Sequence, residues 1–297
     1  MILKFRFVPV EATTRFVKLK LPYLDQIQGF VYSLFSKEVA KFLHDAGFKL
    51  ENSVLTSSAP TKRFKMFTYS FPMGKHAVKK EPKTNRKILL YRNGFSIFFA
   101  TPIRFIAADL IRSFLFTSSR EFRLQDNVLR VDYLQTINIS KEDIAEKERV
   151  VLKTLSPVAV YDFVKKRTIF YSPMDKKFWE KLANNAALKL KTYIELKKNF
   201  NSINFPYTNI DFLEKYPTFE LEEEQLKEFV SNLAIYLEFV KKRIVIYKRL
   251  YIDAWEMRFK LPVNMLMDQF EAFNFLAHVG LGKHNSAGFG FFVMEKD

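Results

Sequence analysis

The chain has 297 residues, with 48 Lys and Arg against 32 Asp and Glu and a formal net charge of +16. At about 100–200 residues per domain this length favours two modest domains, and the basic excess calls for a polyanionic partner, nucleic acid ahead of an anionic membrane surface. The absence of cysteine excludes disulfides, thiolate zinc sites and cysteine nucleophiles. No apolar run approaches the roughly 20 residues that span a bilayer, and the start reads as a strand, unlike a signal peptide, so a cytoplasmic protein without a membrane partner is expected.

Leu3, Phe5 and Phe7 alternate with Lys4 and Arg6, the period of a half-buried strand over 2–9. From Asp25 to about Ala46 apolar residues recur at helical steps, and Gly47 suits the position past the helix end. Ser36, followed by Lys37 and Glu38, is a capping candidate that would break this helix in two. Strand-like segments follow at 63–71 and 87–100, joined by a lysine-rich connection, then an amphipathic helix at 102–117 and β-type segments around 120–138 turning at Asp126-Asn127. The order β-α-β-β-α-β predicts a ferredoxin-like domain over 1–140.

Asn138 to Arg149 reads as a charged linker with a short turn capped at Ser140. A second unit is predicted over 150–297: strands at 150–160 and 168–171, a helix at 175–198, strands at 243–250 and 252–261, a helix at 263–278 and a last strand at 288–294. An insertion with a helix of its own is expected at 199–228. The fold class predicted is α+β, two tandem ferredoxin-like (RRM-like) domains.

Half of the eight glycines lie in 279–291, at Gly280, Gly282, Gly288 and Gly290. Such a loop can turn its N–H groups towards phosphate, with Lys283 adding charge; equally, it suits a helix C-cap followed by a tight turn. It follows a helix and precedes a strand, which excludes a dinucleotide fingerprint.

On this loop the sequence resembles the CRISPR-associated repeat-RNA endoribonucleases, the Cas6 family of the RAMP superfamily. Gly29-Phe-Val-Tyr32-Ser, Phe42-Leu-His44-Asp, Lys65-Met-Phe-Thr-Tyr-Ser70, Thr154-Leu-Ser-Pro-Val-Ala-Val160 and Ala254-Trp255 are similar to family segments and stand in the family order. The resemblance implies metal-independent cleavage of CRISPR repeat transcripts by Tyr32, His44 and a lysine, with no cofactor and with guide RNA as product. The lysine is Lys65 by its Phe-Thr-Tyr-Ser context, with Lys49, chosen by distance from the histidine, as second choice. Such chemistry needs a base for the 2′-hydroxyl, an acid for the departing 5′-oxygen and a cation for the charge growing at phosphorus.

By resemblance Tyr32 is the proton acceptor and His44 the donor. A phenol of pKa about 10 is a weak base at neutral pH unless a lysine lowers that value, whereas an imidazole near 6.5 suits either role, so the two roles can be exchanged. Twelve residues of unbroken helix at about 1.5 Å each would hold the pair roughly 18 Å apart, so the reading requires the break at Ser36.

Candidate RNA contacts are Lys62, Arg63, Lys75, Lys79, Lys80 and Arg86 in the basic stretches, with Gly280, Gly282, Lys283, His284, Asn285, Ser286, Gly288 and Gly290 in the glycine-rich loop. Phe67 and Tyr69 are placed equally well stacking bases or packing in the core. The expected partner is precursor CRISPR repeat RNA, and effector-complex subunits and a second copy of the chain are further candidates. The competing reading is a RAMP-type subunit that holds guide RNA without cutting it.

Overall fold

The alternation at the N-terminus forms β1 (Ile2–Pro9), which buries Ile2, Leu3, Phe5 and Phe7. The computed structural model describes residues 1–11, 15–49, 63–82, 84–115, 121–165, 167–199 and 218–295. β2 (Phe16–Lys20) buries Val17 and Leu19 and has no counterpart among the predicted elements.

The helical stretch is broken as its chemistry requires. α1 (Leu24–Ser33) and α2 (Lys37–Lys41) flank Ser36, whose backbone is extended (φ −60°, ψ 156°) and whose hydroxyl accepts the Val39 N–H at 3.3 Å. The Ser36 N–H in turn donates to the buried Asp109 carboxylate at 2.8 Å. A π-helical turn, Phe42–Ala46, carries the chain to Gly47 at φ 61°.

Each long strand expected next is split by positive-φ residues. β3 (Phe48–Lys49) pairs with β4 (Arg63–Phe64), and Met66 at φ 53° separates β4 from β5 (Thr68–Tyr69). β6 (His76–Lys80) occupies part of the lysine-rich connection and pairs with β7 (Lys87–Arg92). Asn93 and Gly94 then turn the chain into β8 (Phe95–Ala100). A Cβ at Gly94 would stand 1.9 Å from the Phe7 carbonyl oxygen, so the turn presses on β1 and needs glycine. α3 (Arg104–Leu115), β9 (Phe122–Leu124) and β10 (Asn127–Ile137) complete this half.

The main sheet has the order β5-β8-β1-β10-β9 with antiparallel neighbours, and β2-β7-β6 forms a separate small sheet. Both helices cover one face of the main sheet: Phe30 of α1 meets Phe7 at 4.9 Å between ring centroids, and Phe114 of α3 meets Phe5 at 4.8 Å.

α4 (Glu142–Ala145) lies in the linker, with Ser140 and Asp143 hydrogen-bonding each other reciprocally. β11 (Arg149–Thr154) then leads to the hairpin β12 (Tyr161–Val164) and β13 (Arg167–Phe170), longer than the single strand predicted there. α5 (Lys176–Asn199) follows, and α6 (Glu223–Leu233) packs on it. Of the insertion expected at 199–228, residues 200–217 lie outside the described residues.

β14 (Leu237–Tyr247) and β15 (Leu250–Pro262) outrun the predicted strands. Most of β14 is exposed at a sheet edge and shows no apolar alternation, so pairing with β15 alone defines it. The predicted helix at 263–278 is two, α7 (Val263–Asp268) and α8 (Phe270–Val279), parted where Gln269 leaves helical geometry at φ −111° and ψ 28°. The last strand shrinks from 288–294 to β16 (Phe292–Met294) because Gly288 and Gly290 take positive φ, 86° and 72°, which no extended strand allows.

The second sheet has the order β14-β15-β11-β16, again antiparallel. Trp179 of α5 meets Phe259 at 6.2 Å and Phe273 of α8 meets Phe292 at 6.1 Å, so helices cover one face here too. The protein is mixed α+β; counted along the chain within each sheet, the strands lie second, third, first, fifth, fourth in the first and second, third, first, fourth in the other, so the order second, third, first is common to both.

Candidate nucleic-acid cleft

The break at Ser36 folds the π-helical turn back against α1. Tyr32 and His44 meet edge to face with ring centroids 6.0 Å apart, and Tyr32 also rests on Phe67 at 5.9 Å. Phe67 and Tyr69 are fully buried, so both are core residues. The His44 side chain is 75% exposed, and its Nδ1 lies 2.8 Å from the Asp45 carboxylate. That contact is the first cause holding Asp45 below the ordinary carboxylate pKa. A carboxylate accepts, so Nδ1 carries the proton and Nε2 is the nitrogen left to face solvent.

Lys65 donates from Nζ to the His44 carbonyl oxygen at 2.8 Å. A Cβ at Gly47 would stand 3.1 Å from Lys65 Cδ, so glycine there gives the lysine its path. Lys49 pairs with Arg63 through the backbone; the side chains of both, and all of Lys62, lie outside the described residues.

Tyr32 is held well above the ordinary phenol value, at about 12, chiefly by burial; a hydrogen bond with Ser286 opposes the shift. No lysine among the described residues lowers it. A phenol with that pKa is ionised to only about one part in 10⁵ at pH 7, so it stays protonated.

A cleft of about 340 Å³ opens between the two halves, with Lys65 and Phe67 on one wall and Lys283, His284 and Ser286 on the other. Tyr32 and His44 stand behind the first wall, Tyr32 against Phe67 and His44 bonded through its carbonyl to Lys65. The glycine-rich loop forms that second wall and is a packing seam. A Cβ at Gly280 would meet Thr68 Oγ1 at 2.7 Å, at Gly282 the Ala159 oxygen at 2.6 Å, at Gly288 Tyr69 Cε2 at 2.7 Å, and at Gly290 the Leu281 oxygen at 1.8 Å. The N–H groups of Gly280, Gly288 and Gly290 donate to Leu276, Asn285 and Pro157 carbonyls. These three N–H groups therefore do not form the phosphate cradle that the glycine spacing suggests.

The carbonyls of the loop turn inward to a lysine. Lys189 of α5, 4% exposed, donates to the oxygens of Gly280 (2.7 Å), Gly282 (3.1 Å) and Val279 (3.4 Å) and to Asn285 Oδ1 (2.7 Å). Asn285 Nδ2 donates to Leu281 and Phe289 carbonyls, so Asn285 knits the loop internally. Lys189 is not among the residues predicted from sequence, although it stands in the apolar stripe Phe178, Leu182, Ala186, Tyr193, where a solitary lysine is a detectable signal.

Lys283 lies over the Tyr161 ring at 4.2 Å, donates to the Tyr161 carbonyl and approaches Asp162 at 3.9 Å. His284, left-handed at φ 60°, stacks on Tyr161 and shares a 2.8 Å hydrogen bond with its hydroxyl. Burial, then the charges of Lys283 and Lys248, lower its pKa to about 4, so the ring is neutral near pH 7.

Lys75, Lys79, Lys80 and Arg86 are exposed on the β6–β7 hairpin. On the far side, a groove of about 690 Å³ runs between that hairpin and β14, with Arg86, Lys87 and Arg243 beside Tyr23, Phe71 and Tyr91. Of the remaining histidines, His76 is exposed against Tyr91 and His278 is buried with Nδ1 on the Asn274 oxygen at 2.7 Å. Among the described residues no helix is long and apolar enough to cross a membrane.

These features define a basic α+β protein whose two sheet-bearing halves meet at a glycine-rich seam beside a tyrosine–histidine pair. A family model described as CRISPR associated protein Cas6, C-terminal, matches residues 140–294, just over half of the 297. The chain belongs to the Cas6 family of CRISPR proteins.

Among solved structures, one described as a CRISPR associated protein Cas6 shares 17% identity and a TM-score of 0.62, covering 100% of this chain and 99% of its own. A RAMP protein described as binding different RNA substrates shares 16% identity and a TM-score of 0.58, covering 100% of both chains. A Cas6 product complex shares 16% identity and a TM-score of 0.55, covering 99% of this chain and 98% of its own. Comparison with curated protein sequences finds no match.

Proposed function

We propose that this protein is a cytoplasmic endoribonuclease that cuts precursor CRISPR transcripts within the repeat, using two tandem ferredoxin-like domains, 1–140 and 150–297, with RNA across their seam. The order second, third, first that the two sheets have in common, with the later strands beyond the first, supports the domain reading. The observation that carries the enzymatic reading is the meeting of Tyr32 and His44 at 6.0 Å beside the cleft, with Lys65 on the His44 carbonyl.

Cleavage proceeds by attack of the 2′-oxygen on the adjacent phosphorus. The 2′-O–P bond forms, the P–O5′ bond breaks, and the products end in a 2′,3′-cyclic phosphate and a 5′-hydroxyl; this route needs no metal. The environment favours exchanging the roles that the family resemblance assigns. His44, with Nδ1 engaged by Asp45, takes the 2′-hydroxyl proton at Nε2. Tyr32, held protonated, donates to the departing 5′-oxygen, and Lys65 stabilises the charge on the phosphoryl oxygens. Lys283, His284 and Ser286 line the RNA path, and Lys75, Lys79, Lys80 and Arg86 track its backbone.

The test is cleavage of the host's repeat RNA in excess chelator by wild type and His44→Ala, with binding measured in parallel. Wild type is expected to cut, and His44→Ala to bind without cutting. Binding by wild type that never leads to cutting, even with metal restored, would make the protein a guide-RNA-holding subunit.

A further inference from the structure

One face of α1 is polar where it turns away from the core. Asp25, Gln28 and Tyr32 recur at the three- and four-residue steps of a single helix face, while Ile27, Phe30 and Val31 are buried on the other. Each polar residue is engaged by a distant part of the C-terminal half. The Asp25 carboxylate accepts the Lys248 N–H at 3.1 and 3.3 Å, at the turn joining β14 to β15. Tyr247, one residue earlier, donates its hydroxyl to Gln28 Oε1 at 2.8 Å. Gln28 Nε2 donates to the Ser286 carbonyl at 3.0 Å, and the 285–287 turn that carries Ser286 packs on α1, the helix of Tyr32. The amide orientation is fixed, because turning Gln28 over would set Oε1 against the Ser286 carbonyl oxygen.

Gln28 is thus the junction of three elements: the β14–β15 hairpin, the glycine-rich loop and the helix carrying Tyr32. The hairpin is basic, with Lys241, Lys242, Arg243, Lys248 and Arg249, and exposes Ile244, Leu250 and Tyr251. We propose that Gln28 is a positioning residue: it ties the docked hairpin to Ser286 and so fixes the placement of Tyr32 used in RNA cleavage. This rests on the reading of Tyr32 as part of the cutting site.

The experiment is single-turnover cleavage of the host's repeat RNA by Gln28→Leu, Tyr247→Phe and the double variant, giving the rate at saturating protein and the half-saturating concentration separately. A small misplacement of a catalytic group costs about ten- to a hundredfold in rate. Gln28→Leu is expected to lose that much at saturation, with half-saturation within about twofold of wild type. Tyr247→Phe, which removes one oxygen atom, should fall in the same direction, and the double variant should be no slower than Gln28→Leu by more than about twofold, because both cut one chain of bonds. If Gln28→Leu melts before it can be assayed, Tyr247→Phe decides alone.

An unchanged rate at saturation in both single variants, a loss confined to half-saturation, or effects that multiply in the double variant overturns the inference while leaving the cutting function intact. A wild type that binds but never cuts removes both.

Discussion

Tyr32 and His44 stand edge to face with ring centroids 6.0 Å apart, although twelve residues separate them in the chain. An unbroken helix would hold them about 18 Å apart at about 1.5 Å per residue. The difference is made at Ser36, whose hydroxyl starts α2 and whose N–H is taken by Asp109. A cap and a buried carboxylate thus set the geometry of the candidate site.

Replacing Ser36 by Ala removes the cap and keeps the bond to Asp109. Loss of a serine cap costs about 1 kcal/mol, so the urea midpoint of Ser36→Ala should fall by that equivalent. Asp109→Ala leaves the Ser36 N–H without its acceptor in a part-buried setting and should cost more. Both variants should cut repeat RNA more slowly than they lose affinity for it. Equal stability of Ser36→Ala and wild type would mean that the break is held by packing alone.

The glycines divide into two kinds, and substitution should separate them. Gly29 lies inside α1 with nothing within 4 Å of where a Cβ would stand, whereas a Cβ at Gly290 would sit 1.8 Å from the Leu281 oxygen at a φ of 72°. Gly29→Ala should stabilise the protein by roughly 0.5–1 kcal/mol through helix propensity. Gly290→Ala should unfold the seam and lower the thermal midpoint sharply. A Gly290→Ala protein that melts with wild type would contradict the packing described.

What was legible in the sequence follows the same physics. The periods of β1, α1, α3 and α5 announced themselves because one face of each is apolar. Tyr32 and His44 were named by the family resemblance alone, and the helix break that lets them meet was legible because Ser36 is a local capping signal. The purpose of the glycine spacing was not: left-handed residues suit an anion cradle and a crowded seam alike, and only Thr68, Tyr69 and Ala159, distant in sequence, show which. The β14–β15 hairpin was foreshortened because its polar half is specified by cross-strand pairing, and Gln28 gave no signal because its partners lie more than 200 residues away.

Lys189 holds the loop by donating to four oxygens from a buried position. Lys189→Met keeps much of the stem's bulk and strips those acceptors of their donor. Hydrogen bonds to a charged group contribute about 1.5–3 kcal/mol, and an acceptor left buried and unpaired costs about 1–3 kcal/mol. A loss of at least about 3 kcal/mol in chemical unfolding is expected, with altered amide signals across 279–290. A neutral Lys189→Met substitution would show that the loop carbonyls find other donors.

The roles of Tyr32 and His44 turn on where the phenol ionises. Burial raises Tyr32 from the ordinary 10 to about 12. The folded protein therefore holds this proton more tightly than the unfolded chain does. The associated stability is complete below pH 10 and is lost as pH rises from 10 to 12, to an extent of at most about 3 kcal/mol at 1.36 kcal/mol per pKa unit. Tyr32→Phe cannot ionise, so its stability should fall less steeply than that of wild type across that interval when urea midpoints are compared at each pH. Tyr23, also raised to about 12 by burial, contributes equally to both proteins and cancels. If the two slopes coincide, Tyr32 ionises near the ordinary 10 and burial does not hold its proton; only a variant that falls more steeply below pH 10 than wild type, the sign of a lowered phenol, would return Tyr32 to the role of proton acceptor.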